Sequence, residues 1–142
     1  MRPIKFRTWD TQGKTMYVPD APASNMTVIS PDYVSLTGEV FRYEGTRGNY
    51  NLEHQGKRFI LMQCIGLLDR HGTEIYEGDV LQEDSEIPDC RGEVKFLDGA
   101  FRVRYYSKKA DKGLGEYLVA ERMSYKPVVL GNIYEHPELL KK

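Results

Sequence analysis

Only two of the 142 residues are cysteine, Cys64 and Cys90, too few for a disulfide framework and suited to a reducing cytoplasm. Apolar runs are short, and none approaches the ~20 residues that a membrane span needs. The opening Met1-Arg2-Pro3-Ile4-Lys5-Phe6 lacks the apolar core of a signal peptide. Neither sign of charge prevails. Twenty Lys and Arg face 21 Asp and Glu, so the whole molecule is no electrostatic trap for nucleic acid or an anionic membrane. Helical patterning is missing too: no segment carries apolar residues at i, i+3, i+4 and i+7 for three turns without a Gly or Pro interrupting it. The histidines, His54, His71 and His136, are scattered, and neither cysteine stands at zinc-ligand spacing to another Cys or His. A disulfide scaffold, a membrane protein, a helix bundle and a zinc site are thereby set aside.

What is present points to strands. Ten of the sixteen aromatic residues are tyrosine, beside 13 glycines and seven prolines. Tyrosine and β-branched residues suit a pleated, half-buried surface, while Gly and Pro punctuate turns. The length suits one domain, or one domain with an appendage, and the fold class expected is mainly β with a minor helix.

Along the chain, Ile4 and Phe6 alternate with Lys5 and Arg7, predicting a hairpin with 15–18 whose apolar face carries Ile4 and Phe6. The run Pro19–Asn25 reads as loop. Short strands follow near Thr27–Ile29 and Val34–Tyr43, the second broken at Thr37-Gly38. The polar, glycine-bearing stretch Glu44–Lys57 reads as a projecting loop and as the internal boundary. It separates N-terminal strands (1–57) from a denser β region (58–142). Phe59–Ile65 is almost continuously apolar, as in a strand covered on both faces. Asp69-Arg70-His71-Gly72 and Glu77-Gly78-Asp79 are turns around the strand Glu74–Tyr76, and Val80-Leu81 opens another strand. Gln82–Cys90, acidic and holding Pro88, reads as an exposed loop, and Ser107–Glu116 as a basic one. Tyr117–Met123 and Pro127–Tyr134 read as the last extended segments. His136–Leu140, with Pro137 at its first position, reads as one helical turn.

The clearest local signal is Glu93–Tyr105. Asp98-Gly99 favours a type I′ turn, which needs positive φ at both positions. That turn sets Phe96 opposite Phe101, Lys95 opposite Arg102, Val94 opposite Val103 and Glu93 opposite Arg104. Phe96, Phe101, Val94 and Val103 then share a face expected to be buried, with Arg102 and Arg104 outward.

Three blocks carry a resemblance. They are Arg2-Pro3-Ile4-Lys5-Phe6-Arg7-Thr8-Trp9-Asp10, the run from Leu61 through Asp69-Arg70-His71-Gly72 to Glu77-Gly78-Asp79-Val80, and the ending from Gly131-Asn132-Ile133-Tyr134-Glu135 to Leu140. In this order they resemble the YopX family of bacteriophages and bacterial prophages. The resemblance implies coiled antiparallel sheets with an SH3-like barrel in the C-terminal part. It implies no activity and supplies no catalytic residue.

Three constellations remain. Asp69, Glu74, Glu77 and Asp79 are close enough in sequence to suggest a hard-cation site for a small metal-dependent hydrolase. Against this, strand alternation should part the carboxylates, and Asp69 and Asp79 stand where turn caps stand, beside Gly72 and Gly78. A basic strip of Arg102, Arg104, Lys108, Lys109 and Lys112, with Tyr105 and Tyr106, offers phosphate contacts and stacking for a nucleic acid; exposed Lys and Arg on a strand also make an ordinary solvated edge. Cys64 reads as a buried inert thiol, and Cys90 as an oxidisable one in a loop. The reading preferred over the hydrolase and nucleic-acid alternatives is a cytoplasmic, non-enzymatic accessory protein with no cofactor and no metal. It binds a protein partner, and self-association is the expected way to cover the edges of its short strands.

Overall fold

A computed structural model describes residues 4–18, 33–34, 40–46, 49–54, 58–107 and 112–140, giving the backbone alone for 33–34, 40–46, 49–54 and 112. The fold is mainly β: the described residues hold twelve strands, one short α-helix and two 3-10 turns. Every strand pairing whose register is defined is antiparallel. The chain forms two compact units, one of Lys5–Met62 and one of Gln63–Lys142 with Met1–Ile4.

In the unit Lys5–Met62, β1 (Phe6–Asp10) and β2 (Thr15–Tyr17) form the expected hairpin, with Trp9 opposite Met16. Contrary to expectation, Phe6 and Ile4, at the start of the strand, are exposed, whereas Arg7, Thr8, Trp9 and Asp10 are all buried, so both faces of β1 are covered over its later part. Arg7 Nη2 lies 3.8 Å from Met62 Sδ. β3 (Tyr33–Val34), β4 (Val40–Thr46) and β5 (Asn49–His54) form a three-stranded sheet in that order. Its second hairpin corrects the loop expected over Glu44–Lys57. Tyr50 and Leu52 alternate with Asn51 and Glu53, a strand period that the low apolar content hid. The segments expected at Pro19–Asn25 and Thr27–Ile29, and the break at Thr37-Gly38, lie outside the described residues.

Asp10, 1% exposed, receives Arg58 through Nε at 3.0 Å and Nη2 at 2.8 Å, and Gln12 N–H at 2.9 Å. The Arg58 hydrogen bond outweighs burial and holds the carboxyl at about 2, below its ordinary 3.8. A depressed folded-state value gives stability that is present above the unfolded value and lost as pH falls through the folded one. About 2 kcal/mol should therefore disappear between about pH 5 and pH 2. Urea unfolding of wild type and Asp10→Asn across that range checks this, and the variant should lack that part of the acid limb.

In the second unit, β6 (Phe59–Leu68), which begins in the first, pairs with β7 (Glu74–Tyr76). Then come β8 (Asp79–Gln82), β9 (Cys90–Leu97), β10 (Ala100–Ser107) and β11 (Lys112–Leu118). They are followed by α1 (Val119–Arg122), a 3-10 turn Met123–Tyr125, β12 (Val128–Asn132) and a 3-10 turn Pro137–Leu140. A five-stranded sheet runs β11-β10-β9-β8-β12. One sheet of the fold is a curled half-barrel. Ile65, Ile75, Leu81, Cys90, Val94, Val103, Tyr105 and Val119 form one core cluster.

The β9–β10 register is the one derived from Asp98-Gly99, whose φ values are 50° and 77°. Val94 and Val103 are buried as expected, but Phe96 is 53% exposed and Phe101 half-buried. Phe101 packs against the core cluster, whereas Phe96 stays outside it, and the two rings cover each other edge to face at 5.1 Å. Arg104 points outward, while Arg102 is half-buried between Lys95 and Leu118 on the neighbouring strands.

Two further expectations are corrected. Lys112–Glu116 is strand rather than basic loop, since β11 pairs with β10 along that length. Residues 119–122 are helix rather than strand: Ala120, Glu121, Arg122 and Met123 are helix formers, and Val119 and Met123, four apart, both pack on the core.

Candidate functional site: a tyrosine cleft

The segment between β8 and β9, expected to be exposed, turns its first residue inward. Glu83 N–H donates to Cys90 O at 3.2 Å, prolonging the β8–β9 ladder by one residue, and this buries the Glu83 side chain completely. Asp84 N–H donates to Tyr125 O at 3.1 Å, and Ser107 Oγ donates to Pro88 O at 2.9 Å, so both ends of the segment are tied down. Asp84, Glu86 and Ile87 remain exposed.

Arg122 meets Glu83 from the other side. One turn of α1 places it three residues after the buried Val119, on the same side of the helix. Its guanidinium donates through Nε to Glu83 Oε1 at 2.7 Å and through Nη2 to Oε2 at 2.5 Å. The same group lies 4.0 Å from the ring centre of Tyr125, 4.5 Å from that of Tyr117 and 5.5 Å from that of Tyr105, all within cation–π range. Around this cluster opens a cavity of about 550 Å³, lined also by Leu114, Ile87, Asp84 and Glu86.

Three groups of the cluster have shifted titrations. The Glu83 hydrogen bond pushes the Arg122 pKa up. Burial, reinforced by Glu83, drives the Tyr105 hydroxyl far above the usual phenol range. Burial and the Glu83 charge also push the Cys90 thiol up. The Tyr105 hydroxyl lies under the influence of Glu83 yet makes no well-formed hydrogen bond. Thiol and phenol alike stay protonated at neutral pH, so neither offers a nucleophile or a base. The cleft presents rings, apolar side chains and charged groups. Cys90, expected as an oxidisable loop thiol, is buried in β9, because the ladder continues past Gln82.

The acidic set is drawn apart by its own hydrogen bonds. Asp69 accepts from His71 N–H and Thr73 N–H at 2.8 Å through Oδ1, and from Val129 N–H at 3.0 Å through Oδ2. Asp79 accepts from Tyr76 N–H, Glu77 from Gln63 N–H, and Glu74 from the Tyr76 hydroxyl. Gly72 and Gly78 take φ of 82° and 79°, supplying the left-handed residues these turns use. Among the described residues no three His, Cys, Asp or Glu side chains are placed to hold a metal ion.

The basic strip is brought together only in part. Arg104 is held by Glu116 on β11 at 2.8 Å and Lys95 by Glu93 at 3.0 Å. Arg102 is half-buried, and Tyr106, also half-buried, continues β10. Lys112 opens β11, while Lys108 and Lys109 lie outside the described residues.

A family model described as YopX protein matches residues 5–141. The chain belongs to the YopX family. Among solved structures, protein EF1440 from Enterococcus faecalis is 25% identical, with a TM-score of 0.55 over 99% of this chain and 100% of that one. Protein yopX from Bacillus subtilis is 22% identical, with a TM-score of 0.59 over 100% of this chain and 98% of that one. The second likeness concerns the fold alone. No curated protein matches. Within this YopX-family fold, no helix of the described residues is long and apolar enough to cross a membrane.

The cleft was hidden in the sequence because its members are 39 residues apart, from Glu83 to Arg122. The available signal was the crowding of Tyr105, Tyr106, Tyr117 and Tyr125 near an arginine embedded in helix formers.

Proposed function

We propose that this YopX-family protein is a phage or prophage accessory protein that acts in the host cytoplasm by binding a protein partner, and that the tyrosine cleft is where it docks. One observation carries the reading. Tyr117, Tyr125, Leu114 and Ile87 line a cavity in which the buried Glu83 is already paired with Arg122. Tyrosine beside arginine in a rigid, partly desolvated setting is the chemistry in which protein interfaces concentrate their affinity. Tyr125 and Ile87, 43% and 39% exposed, are apolar surface that a partner would remove from water.

The test compares immobilised wild type with Tyr125→Ala in an extract of induced host cells. Tyr125 is exposed enough for the variant to keep its fold, which a thermal melt checks. A protein retained by wild type and reduced at least tenfold on the variant supports the reading. Equal retention on both, or salt-sensitive retention of DNA or RNA alone, overturns it.

A further inference from the structure

The cleft has an excess of negative charge. Its charged lining comprises Glu83, Asp84, Glu86 and Arg122, beside three tyrosines and Cys90. Arg122 neutralises Glu83, which leaves Asp84 and Glu86, both exposed, facing the open space. Asp84 has a cation nearby, Arg70 at 3.6 Å, but both members of that pair are well exposed, so the contact is weak and easily exchanged.

The floor shows what this chemistry holds. A guanidinium already lies over three tyrosine rings against a carboxylate, an arrangement that selects a cation by ring quadrupole and charge together. A second, independent feature is the Tyr105 hydroxyl. Its residue is 1% exposed and belongs to the cleft lining, and beside the Glu83 carboxylate, which Arg122 already engages, the hydroxyl makes no well-formed hydrogen bond. A buried donor left unused is uncommon, and an extended peptide supplies carbonyl acceptors where a simple cation supplies none. The cavity of about 550 Å³ lies within the ~300–1,000 Å³ typical of ligand sites.

We infer that the cleft takes a short cationic segment of its protein partner, a Lys or Arg flanked by apolar residues, with the positive charge toward Asp84 and Glu86 and the apolar flank against Tyr117, Tyr125 and Leu114. The inference rests on the protein-binding reading above and names the chemistry of the partner. Charge complementarity at an open rim acts mainly on encounter and selectivity, so binding weakens with salt.

The experiment selects a displayed library of random ten-residue peptides on the full chain. Enriched sequences are then remade with fluorescent labels and measured by anisotropy. Lys or Arg next to apolar residues should be enriched, and replacing that residue by Glu should weaken binding at least tenfold. The double variant Asp84→Lys/Glu86→Lys changes only exposed side chains, and a melt confirms its fold. It should weaken the same peptides at least tenfold, and Tyr125→Ala should do so as well. Enrichment without cationic residues, or peptides unaffected by the double charge reversal, overturns the inference. If a host protein is lost with Tyr125→Ala but kept by the charge reversal, protein binding stands and the cationic assignment falls. If nothing is retained from the host extract while cationic peptides bind the cleft, the assignment stands and the host-partner reading falls.

Discussion

Replacing Arg122 by methionine should destabilise the C-terminal unit by about 3 kcal/mol, because it strands a buried charge. Methionine keeps much of the unbranched stem and removes the guanidinium, which lies over Tyr117 and Tyr125. Glu83, whose side chain has no solvent exposure, then faces a tyrosine hydroxyl and a protonated thiol without its counter-ion. Arg122 itself is 18% exposed, so the reverse change, Glu83→Gln, should cost less: the arginine can turn its charge toward water. The double variant should recover much of the loss, since two neutral groups need no pairing. Urea unfolding midpoints at constant slope provide the measurement. An Arg122→Met cost under 0.5 kcal/mol would mean that the pair is ornamental.

Asp69→Ala should be of similar size, about 3 kcal/mol, and lower the melting temperature by roughly 10–20 °C for a unit of this length. A lone turn cap contributes ~0.5–2 kcal/mol by analogy with helix N-caps, but this carboxylate serves three backbone donors. Two close the turn through Gly72, and the third, Val129 N–H, ties that turn to β12. Burial raises the Asp69 pKa, yet the three hydrogen bonds together outweigh it and leave the carboxyl below its ordinary value. Its stabilisation is therefore present above the unfolded carboxylate value and lost as pH falls through the folded one. Asp69→Asn, which keeps one oxygen acceptor, should lose roughly half as much. A cost for Asp69→Ala no greater than that of one ordinary cap would show that the β12 tie contributes nothing.

Local chemistry was legible in the sequence and long-range chemistry was not. Asp98-Gly99 gave the β9–β10 register residue by residue, because a two-residue turn leaves no freedom in the pairing. Asp69 and Asp79 were recognisable as turn caps, since each cap acts within four residues of its own position. The link from Asp69 to Val129 was invisible, as was the pairing of Glu83 with Arg122, because nothing in either neighbourhood announces a partner so far along the chain. Errors of burial had a different origin. Ile4 and Phe6 looked like the inner set of β1 by hydropathy, but they stand at its exposed start, and the strand is covered on both faces only from Arg7 to Asp10. Phe96 has the right parity for the core and lies too near the turn to reach it. The family resemblance, carried by the blocks around 2–10, 61–80 and 131–140, was confirmed by the match over residues 5–141, yet two of the cleft's central residues, Glu83 and Arg122, lie between those blocks.

The most direct test of the central claim, that the cleft is where a protein partner docks, is site-specific photocrosslinking in induced host cells. A benzophenone amino acid is placed at Tyr125 in one protein and at Leu68, also exposed but outside the cleft lining, in another. The account predicts a discrete crosslinked protein from position 125 that is missing from position 68 and is lost when Asp84→Lys/Glu86→Lys is added. The same products from both positions, or none from position 125, would contradict it.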